Sequence, residues 1–331
     1  MAGLSKTGIP YADYGWPLVT GCSNAGPACD HCYAARYAAT RGRHLPQYAG
    51  LAFETSVFDC KRTYGWTGEV RFHPEQLDRP LHTKKLGRVF TVPTGDLFHE
   101  GVATYDLDDV FAVMARTPHL TYIIVTKRAE RMHRYMSLEY PTKSTLAGKP
   151  WPLPNVTLLP SVWDQESADR VIPLLLATPA AVRGVSIEPM LGAVDLSPWI
   201  EQIDFCRECD AESPPQERDL CPECGGVGHL VSTWGCEQAA RMRSGARYED
   251  DGPHAADTST LDLVVLGGET GPGARPMQPE WALDVYQQCK AAGVPFWFKS
   301  MGTAPHKKVW DWTNTLGAEM QATHELPAVT L

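Results

Sequence analysis

The chain has 331 residues, 43% hydrophobic and 21% charged, with a formal net charge of −9. This is ordinary globular composition, long enough for one α/β barrel without forcing two domains. The acidic balance argues against a broadly basic face that coats nucleic acid, although Arg36, Arg41, Arg43, Lys61 and Arg62 leave room for a local basic groove or a solvated helix and loop. The longest apolar run, Val171 to Val182, is too short and too interrupted by proline to span a bilayer, and no basic region leads into an apolar stretch at the N-terminus. The chain therefore reads as soluble and cytoplasmic, with no membrane partner. There, clustered cysteines more often bind metal or do redox chemistry than form disulfides.

In chain order, short β-rich runs are predicted as strands over 18–22, 88–96, 121–127, 155–164, 181–189, 261–269 and 294–300. Most are apolar on both faces, as buried parallel strands are. Helical patterns lie between them over 29–42, 105–117, 167–178 and 279–293. Pro173 marks a kink or a helix start. The last of these helices opens on Pro279 and stops at Gly293, the usual asymmetry of helix ends. Alternating strands and helices imply βαβ units, and about seven strands imply a complete or partial (β/α) barrel. The barrel is assigned to 1–203 and 261–331, and 204–260 to a cysteine-rich insertion.

Barrel chemistry sits at the C-terminal ends of the strands. Polar residues collect there: Thr94-Gly95-Asp96, Lys127-Arg128, Ser161, Ser186, Glu188, Gly267-Gly268-Glu269 and Lys299. Lys127 and Lys299 are candidates to hold an anion or form a Schiff base, with a rim salt bridge as the plain alternative. Arg128 and Arg275 are candidate anion clamps on the substrate, and Arg275 reads equally as a surface arginine. His73, His82 and His99 have no ligand spacing and read as ordinary.

Two cysteine clusters stand out. Cys22, Cys29 and Cys32 follow the first predicted strand as Cx6CxxC and run into Tyr33. Three thiolates in such a loop suit a [4Fe–4S] cluster with one iron open. A zinc site completed by His31, or buried free thiols, are the alternatives. Cys206, Cys209, Cys221 and Cys224 form two CxxC knuckles in a polar segment. That segment has too little core to fold without a metal, so a zinc ribbon holding Zn²⁺ is expected, with an auxiliary iron–sulfur cluster or a loop as alternatives.

The order strand, cysteine loop, CxxC-aromatic, helix resembles the radical S-adenosylmethionine superfamily. The usual Cx3CxxC spacing is widened here to six residues in the first gap. The segments GCSNAGPACDHCYAARYA, FTVPTGDLF, LLLATPAAVRGVSIEPMLGAVDL, VVLGGETGPGARPM and PFWFKSMG are similar to a phage-associated radical-SAM-like family formerly of unknown function. The resemblance implies a radical-SAM-type barrel in which Cys22, Cys29 and Cys32 ligate a [4Fe–4S] cluster. It implies that Tyr33, Thr94, Gly95, Asp96, Ser161, Ser186 and Glu188 bind S-adenosyl-L-methionine, with Asp96 where the superfamily has Glu.

Gly267-Gly268-Glu269 spells the superfamily's amino-group motif on a late strand, so these residues are expected on the substrate side with Arg128 and Arg275. Lys127, Glu269 and Lys299 are the expected catalytic groups. Other implied partners are an external electron donor such as flavodoxin and modified DNA or a nucleotide, in the host cytoplasm if the chain is phage-encoded. The implied reaction uses a 5′-deoxyadenosyl radical to isomerise an amino-acid adduct on hypermodified thymidine from an N-linked to a C-linked form. A repair enzyme, a tRNA- or peptide-modifying radical enzyme, and a non-catalytic zinc-binding module for nucleic acid or protein are the alternatives.

Overall fold

The computed structural model describes residues 2–56, 62–138, 146, 148, 150–200, 204–205, 212–213, 260–303 and 315–326. Its strands are β1 (Ser5–Lys6), β2 (Tyr14–Trp16), β3 (Val19–Gly21), β4 (Ala52–Ser56), β5 (Arg62–Trp66), β6 (Arg71–Phe72), β7 (Gly87–Thr91), β8 (Thr94–Gly95), β9 (Leu120–Thr126), β10 (Val156–Val162), β11 (Val182–Ile187), β12 (Asp204–Phe205), β13 (Glu212–Ser213), β14 (Leu263–Gly267) and β15 (Phe296–Ser300). Its α-helices are α1 (Tyr33–Ala39), α2 (Thr104–Arg116), α3 (Ala129–Met136), α4 (Gln165–Leu176), α5 (Ser197–Ile200), α6 (Pro279–Ala292) and α7 (Thr315–Ala322).

One eight-stranded sheet has the order β1-β2-β7-β9-β10-β11-β14-β15. Only the β1–β2 pair is antiparallel; every later junction is parallel. Successive parallel strands are neighbours, as in a singly wound barrel. The sheet does not close, because no backbone pairing joins β15 to β1 or β2 among the described residues. Side chains bridge the gap instead. Tyr11 lies 6.1 Å, ring to ring, from Trp297 of β15, and Arg88 of β7 lies 6.0 Å over the same indole. Of the two barrel forms expected, this is the open one.

The period of two along each strand sorts the inner face into layers. Phe90, Ile123, Leu159, Leu263, Val265 and Trp297 pack with Tyr11 into one buried cluster. Two residues further on, Ser161, Gly267 and Lys299 follow on the same strands, and Ser161 and Lys299 line the cavity above. Gly184 makes the packing possible, since a Cβ there would lie 2.6 Å from Leu159 Cδ1. Outside the sheet, α2 buries Leu107, Val110, Phe111 and Met114 at helical spacing, and α4 buries Ala168, Val171, Ile172 and Leu175. Each such side chain taken from water contributes about 1.5–3 kcal/mol, alanine less. A reciprocal capping box of Asp164 and Ser167 starts α4.

Asn155 ties these layers together. Its buried amide donates to the carbonyls of Met114, Thr117 and Leu120 at 3.1, 3.3 and 2.9 Å, closing the end of α2 onto the start of β9. Asn155→Ala is expected to cost about 3 kcal/mol, because carbonyls lose their donor in a site closed to water. Thermal unfolding should show a midpoint several degrees lower.

Several elements differ from expectation. The first strand of the sheet is Tyr14–Trp16, and the expected strand at 18–22 survives only as Val19–Gly21 in a separate three-stranded sheet with β6 and β8. The expected strand 88–96 is likewise split at Val92-Pro93. The β4–β5 hairpin is not anticipated by the sequence pattern. Pro173 does not start α4 but lies inside it, in its last turn.

Packing separates two units, Met1–Leu196 with Leu261–Leu331, and Ser197–Thr260. The second carries α5 and the antiparallel pair β12–β13. Cys206, Cys209, Cys221 and Cys224, expected to bind zinc, lie outside the described residues. Among the described residues no helix is long and apolar enough to cross a membrane.

Candidate active site

The site begins where two neighbouring strands break together. Trp16 O accepts from both Leu18 N and Val92 N, each at 3.0 Å, so the turns after β2 and β7 share one acceptor. Val92 has φ +68°, a left-handed conformation that a β-branched residue adopts only when its surroundings force it. Beyond the break, Gly21 of β3 stands opposite Gly95 of β8. A Cβ on Gly95 would lie 2.8 Å from Val19 O. One on Gly21, whose φ is +88°, would lie 2.2 Å from Glu69 O. Only glycine fits this approach, and it delivers Cys22 to the open end of the sheet.

From Cys22 the loop is shaped locally. Asn24 Oδ1 accepts from Gly26 N at 2.7 Å, a one-turn 3-10 helix covers Pro27–Cys29, and Cys32 stands at the N-cap of α1. Ala34, Ala35 and Ala38 are buried, so the small side chains let α1 pack closely. Cys22, Cys29 and Cys32 are free thiols, and all three line one cavity of about 590 Å³.

Two arginines hold this loop. The buried Arg128 donates to Ser23 O at 2.9 Å and Ser23 Oγ at 2.7 Å, and pairs with Glu100 at 3.2 Å. Ser23 Oγ also meets His99 Nε2 at 2.8 Å, while His99 Nδ1 accepts from Gly101 N at 3.1 Å. The Nδ1 acceptor role places the ring proton on Nε2. Burial first, then the Arg128 charge, lowers the His99 pKa, so the ring is neutral. On the other side, Arg275 grips Glu269 with Nε at 3.1 Å and a second guanidinium nitrogen at 2.6 Å, and Arg275 N donates to the same carboxylate at 2.7 Å. Its fork continues to Pro27 O at 2.7 Å and Asp30 at 3.4 Å, inside the cysteine loop. Glu269 is only 4% exposed. Burial alone would raise its pKa, but the Arg275 hydrogen bonds and charge outweigh that and hold the carboxyl below the ordinary range.

The cavity wall is graded. Ser161 and Ser186 are register partners on β10 and β11. Ser161 is 2% exposed, and its Oγ has no hydrogen-bond partner among the described residues. Glu188 pairs with Lys299 at 2.8 Å and accepts from Ser186 Oγ at 3.4 Å and Tyr11 OH at 3.5 Å. Burial, then the Glu188 charge, pushes the Tyr11 phenol well above its ordinary value, so it stays a donor. Gly267 makes room for this carboxylate, since a Cβ there would lie 2.6 Å from Glu188 Oε1. Gly268 backs onto Met301, whose carbonyl oxygen would lie 2.2 Å from its Cβ. Tyr33 donates to Pro93 O at 2.7 Å, and Thr94 Oγ1 meets Tyr48 OH at 3.0 Å.

Asp96 is saturated. Its oxygens accept from Phe98 N, Thr126 Oγ1 and Lys127 N at 2.9, 2.7 and 2.9 Å, which staples the exit of β8 to that of β9. The Lys127 ammonium, half-buried in the cavity wall, has no ion pair among the described residues.

Of the residues singled out from the sequence, Gly267 and Arg275, expected on the substrate side, are not among those that line the cavity. Cys22, Cys29, Cys32, Tyr33, Thr94, Gly95, Asp96, Lys127, Arg128, Ser161, Ser186, Glu188, Gly268, Glu269 and Lys299 all line the one cavity. Arg128 is already spent on the cysteine loop. Arg275, expected on the substrate, is spent there too, and the expected catalytic Glu269 is its counter-ion. Lys299 takes the salt-bridge alternative. Sequence reasoning missed Tyr11, Ser23 and His99. His99 stands three residues after Asp96 in TGDLFH, which is a usable signal; nothing local marks Tyr11.

Side chains of His, Cys, Asp and Glu do not converge in threes on a single-ion site among the described residues. A multi-iron cluster makes a different demand, because each thiolate binds a different iron and the sulfurs stand further apart. The donor set, three free thiols on one cavity wall, fits such a group. Burial first, then the Asp96 and Cys29 charges, pushes the Cys22 thiol up to about 12 despite Arg128, so its thiolate needs a positive partner.

An open, singly wound α/β sheet with a three-cysteine cavity at its C-terminal edge defines the class. Residues 6–325 match the family described as "Protein of unknown function (DUF5131)", and the chain belongs to that family. No curated protein matches the chain. Among solved structures, a spore photoproduct lyase complexed with a dinucleoside spore photoproduct matches at 14% identity and TM-score 0.35, over 57% of this chain and 49% of that one. A mutant of spore photoproduct lyase matches at 15% identity and TM-score 0.32 over the same shares. The chain spans about half the length of these structures.

Proposed function

We propose that this chain is a radical S-adenosylmethionine enzyme, with Cys22, Cys29 and Cys32 holding a [4Fe–4S] cluster. The observation that carries this reading is that three free thiols of one loop line a single cavity at the C-terminal ends of parallel strands. Held by Cys22, Cys29 and Cys32, the cluster would supply one-electron chemistry, passing an electron from an external reductant to the sulfonium of S-adenosylmethionine, which would part into methionine and a 5′-deoxyadenosyl radical. The chain's own residues do the rest. Arg128, Ser23, Glu269 and Arg275 hold the cysteine loop in register. The unpartnered Ser161 hydroxyl offers a hydrogen bond to a polar group of the bound cofactor. Glu188, fixed by Lys299, Tyr11 and Ser186, presents oriented negative charge. The apolar layer of Phe90, Ile123, Leu159 and Trp297 seals the floor against water.

The finer reading is a modified nucleic acid as substrate, namely an amino-acid adduct on thymidine isomerised from an N-linked to a C-linked form. Lys127 supports it, as a cavity cation free to meet a carboxylate.

The test is protein purified without oxygen and reconstituted with iron and sulfide. About four irons per chain are expected. Dithionite and S-adenosylmethionine should then yield 5′-deoxyadenosine. Iron-free protein after reconstitution, or a cluster that never cleaves the cofactor, would sink the reading.

A further inference from the structure

Beside the cysteine loop lies a second recess, of about 290 Å³, and nothing in the chemistry above uses it. Tyr33, Arg36 and Tyr37 enter it from α1 at helical spacing, Arg41 from the turn that follows, and Arg62 and Tyr64 from β5. Arg36, Arg41 and Arg62, scattered along the sequence, are folded onto one wall because the β4–β5 hairpin packs on α1.

The charge balance is lopsided. Asp30 is the one acid among the described residues that line the recess, and Arg275 engages it at 3.4 Å. Arg62 is paired with Glu54 at 3.2 Å, whereas Arg36 and Arg41 have no carboxylate partner among the described residues. Arg36 lies 5.9 Å over the Tyr64 ring. Tyr33 and Tyr37 are 54% and 38% exposed, unusual for rings with this much apolar surface. Unpaired guanidinium groups interleaved with exposed rings match a single strand, whose phosphates take the charge and whose bases stack on the rings.

Size and position narrow the occupant. A recess of this volume takes in roughly one nucleotide, so it suits an unpaired or flipped-out residue and not a duplex. It opens on the first cavity, because His31, Cys32, Tyr33, Tyr37 and Thr270 line both. We propose that this cleft docks a single nucleic-acid strand and presents one nucleotide to the cysteine cavity. The docking stands on the cleft alone; the chemistry done on the presented nucleotide rests on the radical-enzyme reading.

Fluorescence anisotropy of the full chain tests it, with a labelled oligothymidylate, the same sequence as duplex, and an oligoglutamate peptide of similar length. The single strand should bind tighter than the duplex or the peptide. With the two unpaired arginines, Arg36 and Arg41, on phosphate, log K should fall with log salt at a slope of about −1.4. Arg41→Ala should cut that slope by about 0.7 and Arg41→Lys should restore it. Tyr37→Ala should weaken binding about tenfold through lost stacking. Lys85→Ala, elsewhere on the surface, should change nothing. Absence of strand binding at low salt, tighter duplex binding, equal losses with Lys85→Ala, or a peptide that binds as well as the single strand would each overturn the proposal. Iron content and 5′-deoxyadenosine formation are measured on the same wild-type preparation. Strand binding without cofactor cleavage defeats only the radical reading, and cleavage without strand binding defeats only the docking site.

Discussion

Cys29→Ala is expected to lose nearly all cluster iron and all 5′-deoxyadenosine formation, while Cys289→Ala keeps both. The contrast is physical. Cys29 lies on the cavity wall in a loop shaped by its own backbone bonds, Cys29 N to Gly26 O at 2.9 Å among them. Cys289 is fully buried on the packed face of α6, and burial pushes its thiol up to about 12, so it behaves as a small apolar side chain. Cys22→Ala and Cys32→Ala should match Cys29→Ala, because two thiolates cannot hold a cluster against exchange with solvent thiols. Iron and sulfide analysis on the four variants, with circular dichroism to show they are folded, is the measurement. Full iron in Cys29→Ala would remove the loop from the cluster.

The second large effect is expected at Arg275. Arg275→Ala strands the buried Glu269 carboxylate and frees Pro27 and Asp30 of the cysteine loop together. Removing one partner of a buried pair typically costs about 3–5 kcal/mol. The partial exposure of Arg275 puts the expected loss toward the lower end of that range. Cluster retention should fall with it, since Pro27 and Asp30 flank Cys29. Arg275→Ala with Glu269→Gln should recover much of the stability, with no unpaired charge left behind, yet not the cluster retention. Arg275→Lys should recover neither, because one ammonium cannot span the fork.

The pair also sets a pH dependence. Glu269's folded pKa is depressed, so its contribution is fully present above the ordinary glutamate value and is lost as pH falls through the lower folded value. Wild-type unfolding free energy should therefore drop more steeply below about pH 4.3 than that of the double variant. Equal slopes would show that the pair carries no linkage.

Much of this molecule is written locally. The seven apolar runs lie in or beside the seven strands that pair in parallel in the large sheet, because a strand buried on both faces must be apolar throughout. The exception is the first, where Pro17 divides Tyr14–Trp16 from Val19–Gly21 and the earlier piece joins the large sheet. The cysteine loop was legible too, since Asn24, Gly26 and Pro27 shape it with neighbours a few residues away. The cluster of polar residues was legible at the strand ends, where each apolar run gives way to polar or charged residues.

What the sequence could not rank was which of those polar residues are free. Arg128 and Ser23 are 105 residues apart, Arg275 and Pro27 are 248 apart, and each pair meets only in the folded sheet. Lys127 and Lys299 look alike as charged ends of apolar strands. Tertiary packing sets Glu188 beside Lys299 and leaves Lys127 without a counter-ion among the described residues. Composition, periodicity and short-range turns thus determined six of the seven parallel strands of the large sheet, the helices α1, α2, α4 and α6, and the cysteine loop by themselves, because those depend on bonds between near neighbours. The division of charged residues into clasps and available groups was decided by the fold, because an ion pair is a property of two distant residues and of the space between them.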